Sequence, residues 1–139
     1  ATPPKPQIDK VALGAEKWMP WKQAKNTATL VRNLKKKGIK IIALEKNEKS
    51  VDIGTVDFVA PMVLVVGNEV DGVDKQILKI ADKVVHIPMY GKKESLNVSV
   101  AAGIAMYEIQ KSLKKSVGKS SEWLTANVLR VCDVRDLEV

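Results

Sequence analysis

Ile87-Pro88-Met89-Tyr90-Gly91-Lys92-Lys93-Glu94-Ser95-Leu96-Asn97-Val98-Ser99-Val100 is the stretch on which the reading of this chain turns. It begins as the end of an apolar strand and stops at Pro88, which has no N–H to give to a ladder. A polar loop with Gly91 follows. Ser95 and Asn97 then stand just ahead of an apolar run. There their side-chain oxygens suit an N-cap, accepting from the free backbone N–H groups of a first helical turn. The pattern predicts a strand, a loop and a capped helix over Val98 to Leu113. Val98, Val100, Ala101, Ala102, Ile104, Ala105, Met106 and Ile109 make that helix apolar on most of its surface, so it is expected to be largely buried. Its alanines and Gly103 let another backbone come close.

Upstream, Lys83 to Ile87 reads as a strand. So does Met62 to Val66, whose unbroken apolarity means burial on both faces, as in a parallel sheet. Between them lie a turn, Gly67-Asn68-Glu69-Val70-Asp71-Gly72, and a helix that Asp74 can cap and that runs through Ala81. Gly67 allows close backbone approach in that turn. Ile39 to Leu44 is a β-branched strand, followed by a polar loop, Glu45 to Ser50. Val51 to Ala60 is expected to be a short turn of helix and a connection. Ahead of Ile39, Ala24, Ala28, Val31 and Leu34 recur at three- and four-residue steps, which predicts a helix from Trp21 to Lys37 with Gly38 as its stop. Lys35, Lys36 and Lys37 sit in its last turn, where cations suit the dipole. Alternation of this kind points to an α/β domain with a parallel sheet. Ligands in such sheets bind at the C-terminal strand ends, so the loops after Leu44, Val66 and Ile87 are the candidates for a site.

The flanks read differently. Pro3, Pro4 and Pro6 mark an extended leading segment. Trp18 and Trp21 flank Pro20 and read as packing against the core or a dimer seam, with RNA base stacking as the competing reading. Lys114 to Ser121 reads as a flexible basic joint, Trp123 to Leu129 as a short helix, and Asp133 to Val139 as an acidic end. The chain thus divides into a domain over 1–113 and a tail over 114–139.

Composition narrows the function classes. The chain has 139 residues, 45% hydrophobic and 28% charged, enough for one globular core. No apolar run is long enough to span a membrane, and no basic-then-apolar leader is visible. Cys132 is the single cysteine and His86 the single histidine. That excludes an internal disulfide, argues for a reducing compartment, and leaves no usual zinc site, so no metal is expected. His86, at a strand end, is read as structural. The net charge of +7 favours an anionic partner, most commonly nucleic acid. There is no G-x-G-x-x-G, P-loop or zinc-deaminase pattern.

Gly67-Asn68-Glu69-x-x-Gly72 after one buried strand, Ile87-Pro88-Met89 at the end of the next, and Ser95-Leu96-Asn97-Val98-Ser99 at a helix mouth together resemble the second and third motifs of the SPOUT-type RNA ribose 2′-O-methyltransferases, the TrmH-like (SpoU) group. Gly14 to Trp18 and the strand ending at Leu44 support the resemblance, which covers Ile8 to Leu113 and not the tail. It implies an α/β parallel sheet whose C-terminal part is tied in a deep trefoil knot. It also implies a cytoplasmic homodimer with its active site at the seam. S-adenosylmethionine would be the cofactor, bent in the knot and held mainly by backbone groups of the three loops, and RNA (tRNA or rRNA) the substrate. Leu44, Gly67, Ile87, Met89 and Leu96 match positions that line the cofactor. Glu69, Ser95 and Asn97 match polar positions that support catalysis or shape the site; Ser95 reads equally as a cap. The family's first motif, with an Asn and an Arg that is the usual candidate for activating the ribose hydroxyl, has no counterpart here. Arg32, Arg130 and Arg135 lack its surroundings. The alternative reading is therefore a non-catalytic knotted module that holds cofactor or RNA, and a more distant one is an unrelated doubly wound nucleotide-binding protein.

Overall fold

Met62–Val66 is buried at every position and forms the strand β3 around which the sheet is built. In the computed structural model, which describes residues 22–68, 70–92, 95–117 and 128–132, β1 (Lys40–Leu44) pairs with β3 in parallel, from Lys40 opposite Met62 to Leu44 opposite Val66. β4 (Lys83–His86) pairs with the other edge of β1, and the two-residue β2 (Val51–Asp52) with β4. β5 (Val128–Cys132) pairs with the outer edge of β3. The sheet order is β2-β4-β1-β3-β5, and every pairing is parallel.

Alternation along the strands feeds two cores. Ile42, Met62, Leu64 and Val66 face one side, with Phe58 and with Ala105, Ile109 and Leu113 of the helix α3 (Val98–Val117). Ile41, Ala43, Val63 and Val65 face the other, with Ala28 and Val31 of α1 (Thr27–Lys36) and Ile77 of α2 (Lys75–Ile80). Fully burying a side chain such as Ile109 or Phe58 stabilises by about 1.5–3 kcal/mol. Ser112 of α3 also ties down the link into β3. Its Oγ accepts the Phe58 N–H at 3.0 Å and donates to the Val56 carbonyl at 3.3 Å.

The expected strands over Ile39–Leu44, Met62–Val66 and Lys83–Ile87 form within a residue of those bounds. The Asp74-capped helix also forms, with the Asp74 carboxylate accepting from the Gln76 N–H at 2.6 Å. The short turn of helix after Val51 is a 3-10 turn over Ile53–Thr55, and the two residues before it join the sheet as β2.

Other expectations are corrected. α1 begins at Thr27, well after Trp21, because the Asn26 side chain accepts the Thr29 N–H at 2.8 Å and starts the helix there. α3 runs on through Val117, into the stretch expected to be a joint. It is also less covered than its composition implied: Val100, Ile104 and Tyr107 are 50%, 38% and 67% exposed. Leu129, expected to end a short helix, lies in β5. There the open edge of β3 offers a ladder partner that local helix preference does not outweigh. Val128 of that expected helix lies in β5 as well; its residues 123–127, Gly14 to Trp18, Trp21 and the acidic end lie outside the described residues.

Candidate functional site

Leu44 and Val66 end β1 and β3 side by side, and Val85 lies opposite Leu44 on β4. The three following loops therefore leave the sheet at one place, the C-terminal edge where open α/β sheets hold ligands. Between them is a cavity of about 710 Å³, within the usual range for small-molecule sites. Leu44, Gly67, Ile87, Met89 and Leu96 all line it, and so do Ser95 and Asn97. Glu69 lies outside the described residues. Sequence reasoning did not single out Glu45, Asn68, Val98 or Ala101, which line the same cavity.

The turn after β3 is tightly folded. A Cβ on Gly67 would lie 2.0 Å from the Gly72 carbonyl carbon and 2.4 Å from the Val73 nitrogen, so no larger residue fits without moving the backbone. The Asn68 Oδ1 accepts the N–H groups of Val70 and Asp71 at 2.9 and 2.7 Å, and Gly72 turns the chain at a φ of 67°. The Asn68 Nδ2 is buried with no acceptor among the described residues. A buried donor left in this way costs free energy, and on a cavity wall it suits a ligand that brings an acceptor.

The loop after β1 crosses the end of β4. The Glu45 N–H donates to the Val85 carbonyl at 2.9 Å, and the Glu45 carboxylate accepts the Val73 N–H at 2.8 Å. The Ser50 Oγ bonds His86 Nδ1 at 2.9 Å and also donates to the Asn47 carbonyl at 2.7 Å. His86 thus has a structural partner and lines the cavity as well.

At the mouth of α3, the Asn97 Oδ1 accepts from the Ser99 N–H at 3.0 Å and from its hydroxyl at 2.5 Å. Asn97 is the cap of the helix as well as part of the cavity wall. Arg32 does not reach the cavity; its guanidinium bonds the Gln76 side chain across α1 and α2. Among the described residues, no cluster of three or more His, Cys, Asp or Glu is placed to hold a metal, and no helix is long and apolar enough to cross a membrane.

Apolar walls at Leu44, Ile87 and Leu96, turn backbone packed too closely for a side chain, and an unpaired amide donor together fit a nucleoside-bearing ligand held largely by main-chain groups. Known proteins share this fold and part of this sequence. The tRNA (guanosine(18)-2′-O)-methyltransferase of Aquifex aeolicus is 44% identical over 101 residues, 73% of this chain and 48% of that protein. The crystal structure of the A. aeolicus TrmH/SpoU tRNA modifying enzyme superimposes with a TM-score of 0.72 at 41% identity, covering 78% of this chain and 55% of that one. An AdoMet-bound rRNA methyltransferase from Sinorhizobium meliloti superimposes with a TM-score of 0.68 at 30% identity, covering 75% and 40%. The chain spans about half the length of the curated relatives it matches. The profile of the SpoU rRNA Methylase family matches residues 1–107, across every loop that builds the cavity, and the chain belongs to that family.

Proposed function

We propose that this chain carries the cofactor site of an S-adenosylmethionine-dependent RNA 2′-O-ribose methyltransferase acting on tRNA or rRNA in the cytoplasm. One observation carries the reading: every described residue assigned to the site lies on one cavity at the strand ends. When bound, the cofactor supplies an electrophilic methyl group. Leu44, Ile87, Met89 and Leu96 provide walls for its adenine, and the 67–72 turn provides main-chain groups and the Asn68 amide. Ser95 and Asn97, at the mouth of α3, orient the ribose hydroxyl, with Glu69 supporting them from the turn after β3. We place these functions in residues 1–113, with 114–139 an appended tail that lends β5 to the sheet.

The knot belongs to the same proposal. β1 and β2 are joined by residues 45–50, yet β4 lies between them. That link therefore crosses the end of β4, and the chain leaving Ile87 has to pass on one side of it or the other. Passage through the loop that runs on to β3 makes the trefoil. A homodimer is supported by α3, whose Val100, Ile104 and Tyr107 form an exposed apolar stripe at helical spacing.

A second reading, a cofactor- or RNA-binding module without catalysis, is favoured by one feature. Arg32 is held by Gln76 away from the cavity, so it does not take the hydroxyl-activating place. Incubation with methyl-labelled S-adenosylmethionine and bulk tRNA or rRNA, followed by nucleoside analysis, decides between the two. Label in 2′-O-methylribose is the expected result. Saturable cofactor binding with no label in either RNA supports the module instead.

A further inference from the structure

We infer that Glu45 is a positioning residue for the cofactor loop: its carboxylate clamps the turn after β3 onto the loop after β1 and so sets the shape of the cavity. The inference rests on the cofactor reading above but is carried by separate geometry.

Glu45 joins the loop after β1 both to β4 and to the turn after β3. It begins the β1 loop, its backbone N–H is bonded to Val85 of β4, and its carboxylate receives the Val73 N–H at 2.8 Å. Val73 closes the turn that starts at Gly67 and contains Asn68. Val73 is also buried in the core beside Ile77, and among the described residues the turn's remaining hydrogen bonds are local, from Val70 and Asp71 to the Asn68 Oδ1 and from the Gly72 N–H to the Asn68 carbonyl at 3.2 Å. Local bonds fix the shape of a turn, not its distance from the loop opposite. The ladder from Leu44 to Val66 sets where the two segments start, and the Glu45 carboxylate bonds them directly beyond it. A hydrogen bond to an ionised acceptor is stronger than one between neutral groups.

Gly72 is matched to this clamp. A Cβ there would lie 2.2 Å from the Glu45 Oε2. The absent side chain therefore leaves the space the carboxylate occupies, in addition to permitting the positive φ. The other carboxylate oxygen is occupied as well, accepting the Lys46 N–H at 3.1 Å. Glu45 thus acts on the ligand through the turn, and its need is for an acceptor at this place, not for a charge facing the ligand.

Hydrogen exchange and calorimetry on the 139-residue chain test this with Glu45→Ala and Glu45→Gln. Without any ligand, Glu45→Ala should speed exchange of the Val73 amide by about tenfold or more, as expected for loss of one charge-assisted bond. Exchange in β1 and β3 should stay unchanged. The dissociation constant for S-adenosylhomocysteine should rise by a similar factor. Glu45→Gln keeps an acceptor and should restore most of both. Unchanged Val73 exchange in Glu45→Ala overturns the clamp. Normal exchange with affinity lost in both variants also overturns it, in favour of direct contact with the ligand. If the unaltered chain binds no S-adenosylhomocysteine, the cofactor reading fails, while the exchange arm still decides the clamp.

Discussion

Asp82 and Ile41 bond each other twice: the Asp82 Oδ2 accepts the Ile41 N–H at 2.8 Å, and the Asp82 N–H donates to the Ile41 carbonyl at 2.8 Å. The same carboxylate meets the Lys35 ammonium at 3.2 Å, so one side chain joins α1, β1 and the start of β4. Burial pushes this carboxyl up, but the Ile41 N–H, the bond from Lys35 and the charges of Lys35 and Lys40 outweigh it. The net result is a pKa below the ordinary 3.8. The folded chain therefore holds the Asp82 proton less tightly than the unfolded one. The resulting stability is complete above the unfolded value and is lost as pH falls through the folded one. Urea midpoints should accordingly fall as the pH is taken below the ordinary carboxylate value of 3.8. Asp82→Asn, which keeps an acceptor for Ile41 and cannot titrate, should show a shallower fall. Because both partners are partly exposed, the difference will be modest. Parallel acid limbs for the two proteins would show that Asp82 does not contribute.

Asn97 has two roles that substitution can separate. Asn97→Ala removes the cap on α3 and should cost about 1 kcal/mol in stability, together with cofactor affinity. Asn97→Asp keeps the accepting oxygen and an equally good cap, so its thermal midpoint should match that of the unaltered chain. It loses the amide donor, however, and places a negative charge on the cavity wall. Methyl transfer or S-adenosylhomocysteine binding should then fall in Asn97→Asp despite full stability. Activity that follows stability alone in both variants would reduce Asn97 to a cap.

The exposed stripe on α3 predicts self-association. Ile104→Glu puts a charge in the middle of Val100, Ile104 and Tyr107 without touching the buried Ala105, Ile109 or Leu113. In sedimentation velocity the unaltered chain should run as a dimer and the variant as a folded monomer. A monomer in both cases would remove the support for a homodimer.

Ser112 stitches α3 to the segment before β3, and its Oγ is the acceptor for the Phe58 N–H. Ser112→Ala leaves that part-buried N–H without this partner and should destabilise by about 1–3 kcal/mol, measured as a urea midpoint shift at constant slope. No shift would mean that water replaces the hydroxyl at no cost.

Some of this structure can be read directly from the sequence. Met62–Val66 is apolar throughout because both its faces are covered, and its bounds follow from that. Asp74 is read as a cap because its partner is two residues away. The start of α1 is harder, since Ala24 continues the helical period and only the Asn26 bond to Thr29 shows where the helix begins. β5 is decided by the free edge of β3, far away in sequence. Composition alone reads α3 as largely buried, whereas Val100, Ile104 and Tyr107 are exposed on it. The cavity residues were legible through the resemblance to the TrmH-like family, whereas Glu45 was not. A carboxylate following a strand looks like any surface acid until the Val73 amide, 28 residues on, is brought against it.

The central claim is that three loops at the strand ends form one site for S-adenosylmethionine. Isothermal titration of S-adenosylhomocysteine into the chain and into Gly67→Ala tests it most directly, with circular dichroism to confirm that both are folded. The account predicts one saturable site per chain, lost in Gly67→Ala because a methyl group there collides with the Gly72 backbone. No binding by the folded, unaltered chain, or equal binding by the folded variant, would contradict it.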